Sequence, residues 1–279
     1  MESKVLTLLN QKGGIGKTTT ATMLAAGCAY YGFRTLIVDM DSQGHVAVRH
    51  GIEPVDGVYY AMTEKAEERQ AWHTLLRGVP PEMYGREGNA ADSLLWILPS
   101  FNLTRRFYET FKVAQVVTLL HQWKQVFDFI IFDTSPQLGA IHTSLMVASD
   151  YLILPTECTR LSVAGLNSTI NNYWALQKRE GERIAQAGMQ MAQIMGILPT
   201  RFNGKKSVHY QNLGFLDGRY GQDILVFDSI RYLTDWEKAE SKLLPVFVYK
   251  PRGEAAQEAM GFVDAVLDRV GVRADEQSA

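Results

Sequence analysis

Short apolar runs alternating with longer stretches of helical period set the rhythm of this 279-residue chain. Val5–Leu9, Thr35–Val38, Leu94–Leu98, Phe129–Phe132, Tyr151–Leu154 and Ile194–Leu198 are nearly unbroken apolar segments, the pattern of strands buried on both faces. Helical spacing fills the intervals. In the clearest case Ala21, Leu24, Ala25 and Cys28 recur at i, i+3, i+4 and i+7, and Gly32 follows as a stop. Cys28 is thereby placed in the core. Strands alternating with helices predict an α/β fold: a mostly parallel, twisted sheet of about seven to eight strands with helices on both faces. In such sheets ligands sit outside the carboxyl ends of the strands, so functional residues belong just after them.

Composition narrows the setting. With 46% apolar residues the chain can bury a large core, and a single domain over residues 1–270 is expected. The segment 54–89 breaks the alternation, "GVPPEMYGREGNAAD" has the composition of a loop, and 271–279 is predicted to be a disordered tail. A net charge of −2 excludes a generally basic nucleic-acid coat, so any nucleic-acid surface must be local. The two cysteines, Cys28 and Cys158, lack metal-ligand spacing, and neither a signal peptide nor a membrane-spanning run is legible. A cytoplasmic protein is expected.

The chemistry concentrates after the first strand. "LNQKGGIGKTTTA" is a glycine-rich loop between strand and helix, the setting that makes a phosphate-loop match a physical claim. Gly13, Gly14 and Gly16 let successive backbone N–H groups face inward, and the following helix adds positive potential. Around Gln11, Ile15 and these glycines, Lys17 is placed for the β and γ phosphates, the Thr18 hydroxyl for magnesium and Thr19 for the α phosphate. Lys12 is a second cation, five residues before Lys17. A solvated loop lysine is one reading of it. Asp39 and Asp41 project just beyond the second strand, beside the loop if these strands are neighbours, and Asp133 closes the fourth apolar run as a second acidic strand end. Asp39 and Asp41 could equally cap the following turn through Ser42 and Gly44.

The form Lys-Gly-Gly-x-Gly-Lys-Thr resembles the deviant Walker A loop of the ParA/Soj/MinD group of P-loop ATPases. "TLIVDMDSQGH" is similar to that family's Asp-x-Asp-Pro-Gln-Gly segment, with Ser42 in the proline position, and "FDFIIFDTSPQL" to its Walker B strand, with Ser135 replacing the first of two prolines. The resemblance continues through "YLILPTECTRLSVAGL", "ILPTRFNGK" and "SIRYLTDWEKAESKLLPV", and runs from about residue 4 to about residue 268. It implies a P-loop ATPase using ATP and Mg2+. Lys12 would cross a dimer interface to the partner's nucleotide, Asp41 would position or activate the attacking water, and Asp39 and Asp133 would support magnesium through water. Thr200 and Arg201 would border the adenine.

In the chromosome and plasmid partition branch the ATP-bound sandwich dimer binds nonspecific DNA, and a ParB-like adaptor on the cargo stimulates slow hydrolysis. The resemblance therefore implies a homodimer, nucleoid association when ATP is bound, and a Lys/Arg patch, for which Arg201, Lys205, Lys206, Arg231, Lys238, Lys242, Lys250 and Arg252 are candidates. Each of these, taken singly, could be a solvated surface charge. Arg105 and Arg106 form a smaller basic step, with pairing to Glu109 as the alternative. A MinD-like membrane-associated ATPase and a small-molecule synthetase on the same scaffold are the rival classes. Against the first, the apolar face from Phe262 to Val270 is interleaved with Asp264 and Asp268, so the last helix is expected to pack on the core.

Overall fold

The computed structural model describes residues 1–137 and 139–272. Seven strands form one sheet: β1 (Lys4–Leu8), β2 (Thr35–Met40), β3 (Arg77–Val79), β4 (Leu95–Leu98), β5 (Phe129–Thr134), β6 (Tyr151–Glu157) and β7 (Gln193–Thr200), in the order β3-β4-β2-β5-β1-β6-β7. Every neighbouring pair is parallel except β3 with β4. The six strands read from the pattern are all present. The seventh lies in the segment expected to be irregular: Arg77–Val79 pairs antiparallel with Leu95–Ile97 and closes one sheet edge. Pro81–Tyr84 then makes a 3-10 turn that buries the Tyr84 ring completely, and the Tyr84 hydroxyl accepts from the Leu94 N–H at 2.8 Å. One buried aromatic therefore orders a stretch whose prolines and glycines suggested a loop.

Alternation along the central strands feeds two faces. Leu6, Ile37 and Ile131 point to one core with the helices Lys17–Tyr30 and Glu254–Arg269; Val5, Leu36 and Ile130 point to the other with Val113–Trp123 and Ala140–Ala148. A third apolar cluster seats the helix Arg160–Gln186 over β6 and β7. Cys28 is fully buried, and Gly32, at φ 95°, ends its helix as predicted. The last helix buries Phe262, Val263, Val266 and Leu267, so its apolar face is already used by the core. Of the predicted tail, Gly271 and Val272 belong to the described residues and Val272 packs on the first core; the remainder lies outside them.

The packing of the first helix on the last gives a direct test. A Cβ at Gly27 would stand 2.6 and 2.9 Å from the two methyls of Val263, a β-branched side chain with little rotamer freedom. The gain in helix propensity from alanine is about 1 kcal/mol, and overpacking costs about 1–3 kcal/mol. Gly27→Ala is therefore expected to lower stability, and adding Val263→Ala to recover part of the loss, both read by urea unfolding.

Candidate active site

The loops after β1, β2, β5 and β7 meet at the carboxyl edge of the sheet and line one cavity of about 820 Å3. The loop after β1 turns on Gly14 and Gly16, whose φ angles of 77° and 87° lie in the left-handed region that favours glycine. Its first half is held from beneath. The buried Asn10 amide donates to the Pro155 carbonyl at 2.7 Å and its Oδ1 accepts from Lys12 N–H at 3.0 Å. Gln11 N–H donates to Thr169 Oγ1 at 3.3 Å, and Gly165 comes so close that a Cβ there would lie 3.3 Å from Lys12 Cβ. The helix Arg160–Gln186 thus backs this loop and leaves the Lys12 side chain exposed.

Lys17 behaves differently. It is only 6% exposed and its ammonium donates to the Lys12 carbonyl at 2.9 Å, so the cation lies within the loop. Burial pushes its pKa down, with Asp133 and Asp41 opposing that shift. The two lysines of the loop therefore face different surroundings, one inward and one outward.

Register places Asp39 directly beside Asp133, both at strand ends and both fully buried. Their environments separate their tasks. Asp39 Oδ1 accepts from Asp41 N–H at 2.9 Å and Oδ2 from Val46 N–H at 3.2 Å, so both its oxygens cap the turn after β2. The turn-capping alternative describes both acids, Asp39 through Asp41 and Val46 N–H and Asp41 through Gln43 N–H, rather than through Ser42 and Gly44. Both oxygens of Asp133, by contrast, are buried without a hydrogen-bond partner among the described residues. Burial raises the pKa of both carboxyls; the nearby Thr18 hydroxyl and Lys17 ammonium pull Asp133 back down, while Asp133 pushes Asp39 further up. An orphaned carboxylate beside a hydroxyl and an ammonium is the donor set expected around a hydrated divalent cation and a phosphate chain. The residues fit magnesium with a nucleoside triphosphate: Thr18 and Asp133 would hold the cation, with Asp39 as the brace behind Asp133. Asp41 is half-buried at the cavity wall, its Oδ1 accepting from Gln43 N–H at 3.0 Å.

Three supporting residues escaped the sequence reading. Tyr108 donates its hydroxyl proton to Ser42 Oγ at 3.0 Å and accepts from Ser42 N–H at 3.2 Å, tying down the position where the family carries proline. His142 lies 2.9 Å from the Ser135 carbonyl through Nε2, holding the second proline-deficient loop, whose Pro136 ring packs near Gly13. Burial lowers the His142 pKa to about 4, so the neutral ring donates through Nε2 and leaves Nδ1 without a partner among the described residues. Arg49 faces the cavity from the short helix His45–Arg49 and pairs with Glu240. No local signal marks Tyr108 or His142, whose partners are 66 and 7 residues away.

Thr200 and Arg201 lie at the end of β7 as expected, but both attend to the loop. The buried Thr200 hydroxyl donates to the Ile15 carbonyl at 2.7 Å, and Arg201, at φ 51°, donates to the Gly14 carbonyl at 3.1 Å while pairing with Glu157. Its guanidinium also sits 5.1 Å from the Tyr232 ring centroid. The basic candidates divide in the same way. Arg231 pairs with Glu254 and Glu258, and Lys250 with Asp235, so three of the eight carry acidic partners. Lys205, Lys206, Lys238, Lys242 and Arg252 are exposed and make no ion pair among the described residues. Arg106 stacks on Tyr59 and donates to its hydroxyl at 3.2 Å rather than pairing with Glu109.

Comparison with known proteins agrees with this geometry. A family model described as AAA domain matches residues 3–186. Sporulation initiation inhibitor protein Soj of Bacillus subtilis is 28% identical over 258 residues, covering 91% of this chain and 94% of Soj. Among solved structures, a Cyanothece McdA–ATP complex superposes with a TM-score of 0.75 at 17% identity over 98% of both chains. Cobyrinic acid a,c-diamide synthase of Mycobacterium smegmatis, bound to an ATP analogue and magnesium, gives 0.73 at 19% identity over 96% of both.

Proposed function

Because this chain belongs to the AAA domain family and has the ParA/MinD-type P-loop ATPase fold, we propose that it is a ParA-like switch whose ATP-bound dimer binds nonspecific DNA. Turnover would be controlled by a ParB-like adaptor on a cargo. The observation that carries this reading is the division between the two lysines of one loop: Lys17 turned inward, Lys12 exposed. An inward cation is enough to bind a phosphate chain. An outward one is free to meet phosphate brought by a second body, and two identical ATP-loaded protomers meeting face to face would supply it reciprocally.

Several features support the same reading. Thr18 and Asp133 would hold magnesium beside the loop, where it would supply charge neutralisation to the phosphate chain. Asp41, half-buried at the cavity wall, would orient a water in this reading. Leu161 stands exposed on Arg160–Gln186, the helix behind the Lys12 loop, and Val208 and Phe215 stand exposed seven residues apart, on one side of Ser207–Tyr220. No helix among the described residues is long and apolar enough to cross a membrane, and the last helix has its apolar face in the core, which disfavours lipid docking by that helix. A cytoplasmic, nucleoid-associated protein follows from this reading.

Electrophoretic mobility shift on random-sequence DNA with ATP, ADP or no nucleotide tests it. ATP-only retention is expected; equal behaviour in all three would leave an ordinary nucleotide enzyme, such as a synthetase. The unpaired cations are the ones to remove. Replacing Lys205, Lys206, Lys242 and Arg252 by alanine is expected to weaken retention and flatten its salt dependence by about 0.9 logarithmic units for each DNA phosphate no longer neutralised. Replacing Arg231 and Lys250, which already face carboxylates, is expected to change the slope less.

A further inference from the structure

Arg49 stands on one lip of the cavity and Glu240 on the other, with 3.0 Å between Nη2 and the carboxylate oxygen. The lips belong to His45–Arg49 and Thr234–Ser241, elements that join different parts of the fold. The first is anchored: Asp39 Oδ2 holds Val46 N–H, so the helix bearing Arg49 is fixed to the end of β2, beside Asp133. The guanidinium side chain is 24% exposed and the Glu240 side chain 53%, so the cation is the more enclosed partner and the carboxylate the one with solvent to retreat into. Within the same cavity wall stand Lys17, Arg201, Arg231 and His45 as other cationic or titratable donors, and Asp41 and Glu237 as other carboxylates.

On the reading of this cavity as a nucleotide site, we propose that Arg49 is a phosphate-binding residue supplied in cis, which exchanges its Glu240 partner for the nucleotide's phosphate chain. The exchange replaces one carboxylate by a more highly charged anion, to which a guanidinium offers paired donors. Glu240 is then a competitor for Arg49, and the apparent affinity for ATP is the intrinsic affinity reduced by the fraction of molecules in which Arg49 is free.

The consequence is a pair of opposite effects. Calorimetric titration with Mg-ATP is expected to show Arg49→Ala weakening binding about tenfold or more, the size of a lost charged hydrogen bond. Arg49→Lys is expected to recover part of that loss, and Glu240→Gln to tighten binding severalfold. In an Arg49→Ala background, Glu240→Gln is expected to have no effect. A structural brace between two lips would instead make both single substitutions weaken binding, and that result overturns the exchange. Unchanged affinity in Arg49→Ala, with wild-type thermal unfolding, overturns it as well. If the wild-type protein takes up no Mg-ATP, the nucleotide reading itself falls, and this inference with it.

Discussion

Asp41→Ala is expected to yield a protein that binds ATP and forms the ATP-dependent dimer but hydrolyses ATP about 10²–10⁴-fold more slowly, the range of a removed general base or water-positioning group. The prediction rests on where the carboxylate lies. Asp39 and Asp133 are fully buried, one occupied with backbone N–H groups and the other facing Thr18 and Lys17. Asp41 alone of the three is half-buried at the cavity wall, with one hydrogen bond to Gln43 N–H. Losing that bond loosens one turn, while the Asp39 contacts to Asp41 N–H and Val46 N–H use backbone groups that alanine keeps. Phosphoryl transfer asks little covalent chemistry of a protein and much positioning, so the loss falls on turnover and leaves ground-state binding largely intact. Single-turnover hydrolysis, calorimetry and sedimentation on one preparation separate these effects. Monomers in the presence of ATP, or unchanged turnover, would remove Asp41 from this role.

The sequence made legible what is local and periodic. Six strands, the first helix with its stop at Gly32, the core position of Cys28 and the phosphate loop all follow from spacing within a dozen residues. What it could not place depends on long-range closure. β3 is three residues long and exists because Leu95–Ile97 offers an edge and Tyr84 fills a hole beneath it. Asp39 and Asp133 look alike as acids at strand ends, and only the turn after β2, folding back to present Val46 N–H, makes one a brace and leaves the other without partners. Likewise Arg231 and Lys250 read as free cations until the last helix and the Thr234–Ser241 helix bring Glu258 and Asp235 to them. The two positions where proline is missing, Ser42 and Ser135, show the same limit: their stiffness is restored by Tyr108 and His142 through hydrogen bonds that no neighbouring residue announces.

Lys12→Ala is expected to abolish ATP-dependent dimerisation while sparing the fold and the binding of ATP to each protomer. The substitution is unusually clean. The Lys12 backbone supplies the carbonyl that receives the Lys17 ammonium and the N–H that donates to Asn10, and alanine retains both. Its side chain is exposed, and a Cβ is present in either residue, so the close approach of Gly165 is undisturbed. Only the outward charge disappears. In a two-fold symmetric dimer each protomer would lose one charged hydrogen bond to the other's phosphates, about 1.5–3 kcal/mol apiece and therefore about 10²–10⁴-fold in the dimer constant. Lys17→Ala acts one step earlier: it empties the loop of its inward cation and is expected to remove ATP binding, with dimerisation disappearing as a result. Size exclusion with ATP, beside calorimetry on the same samples, distinguishes the two lysines. A Lys12→Ala protein that still dimerises with ATP would show that the outward charge serves something other than a second protomer's nucleotide.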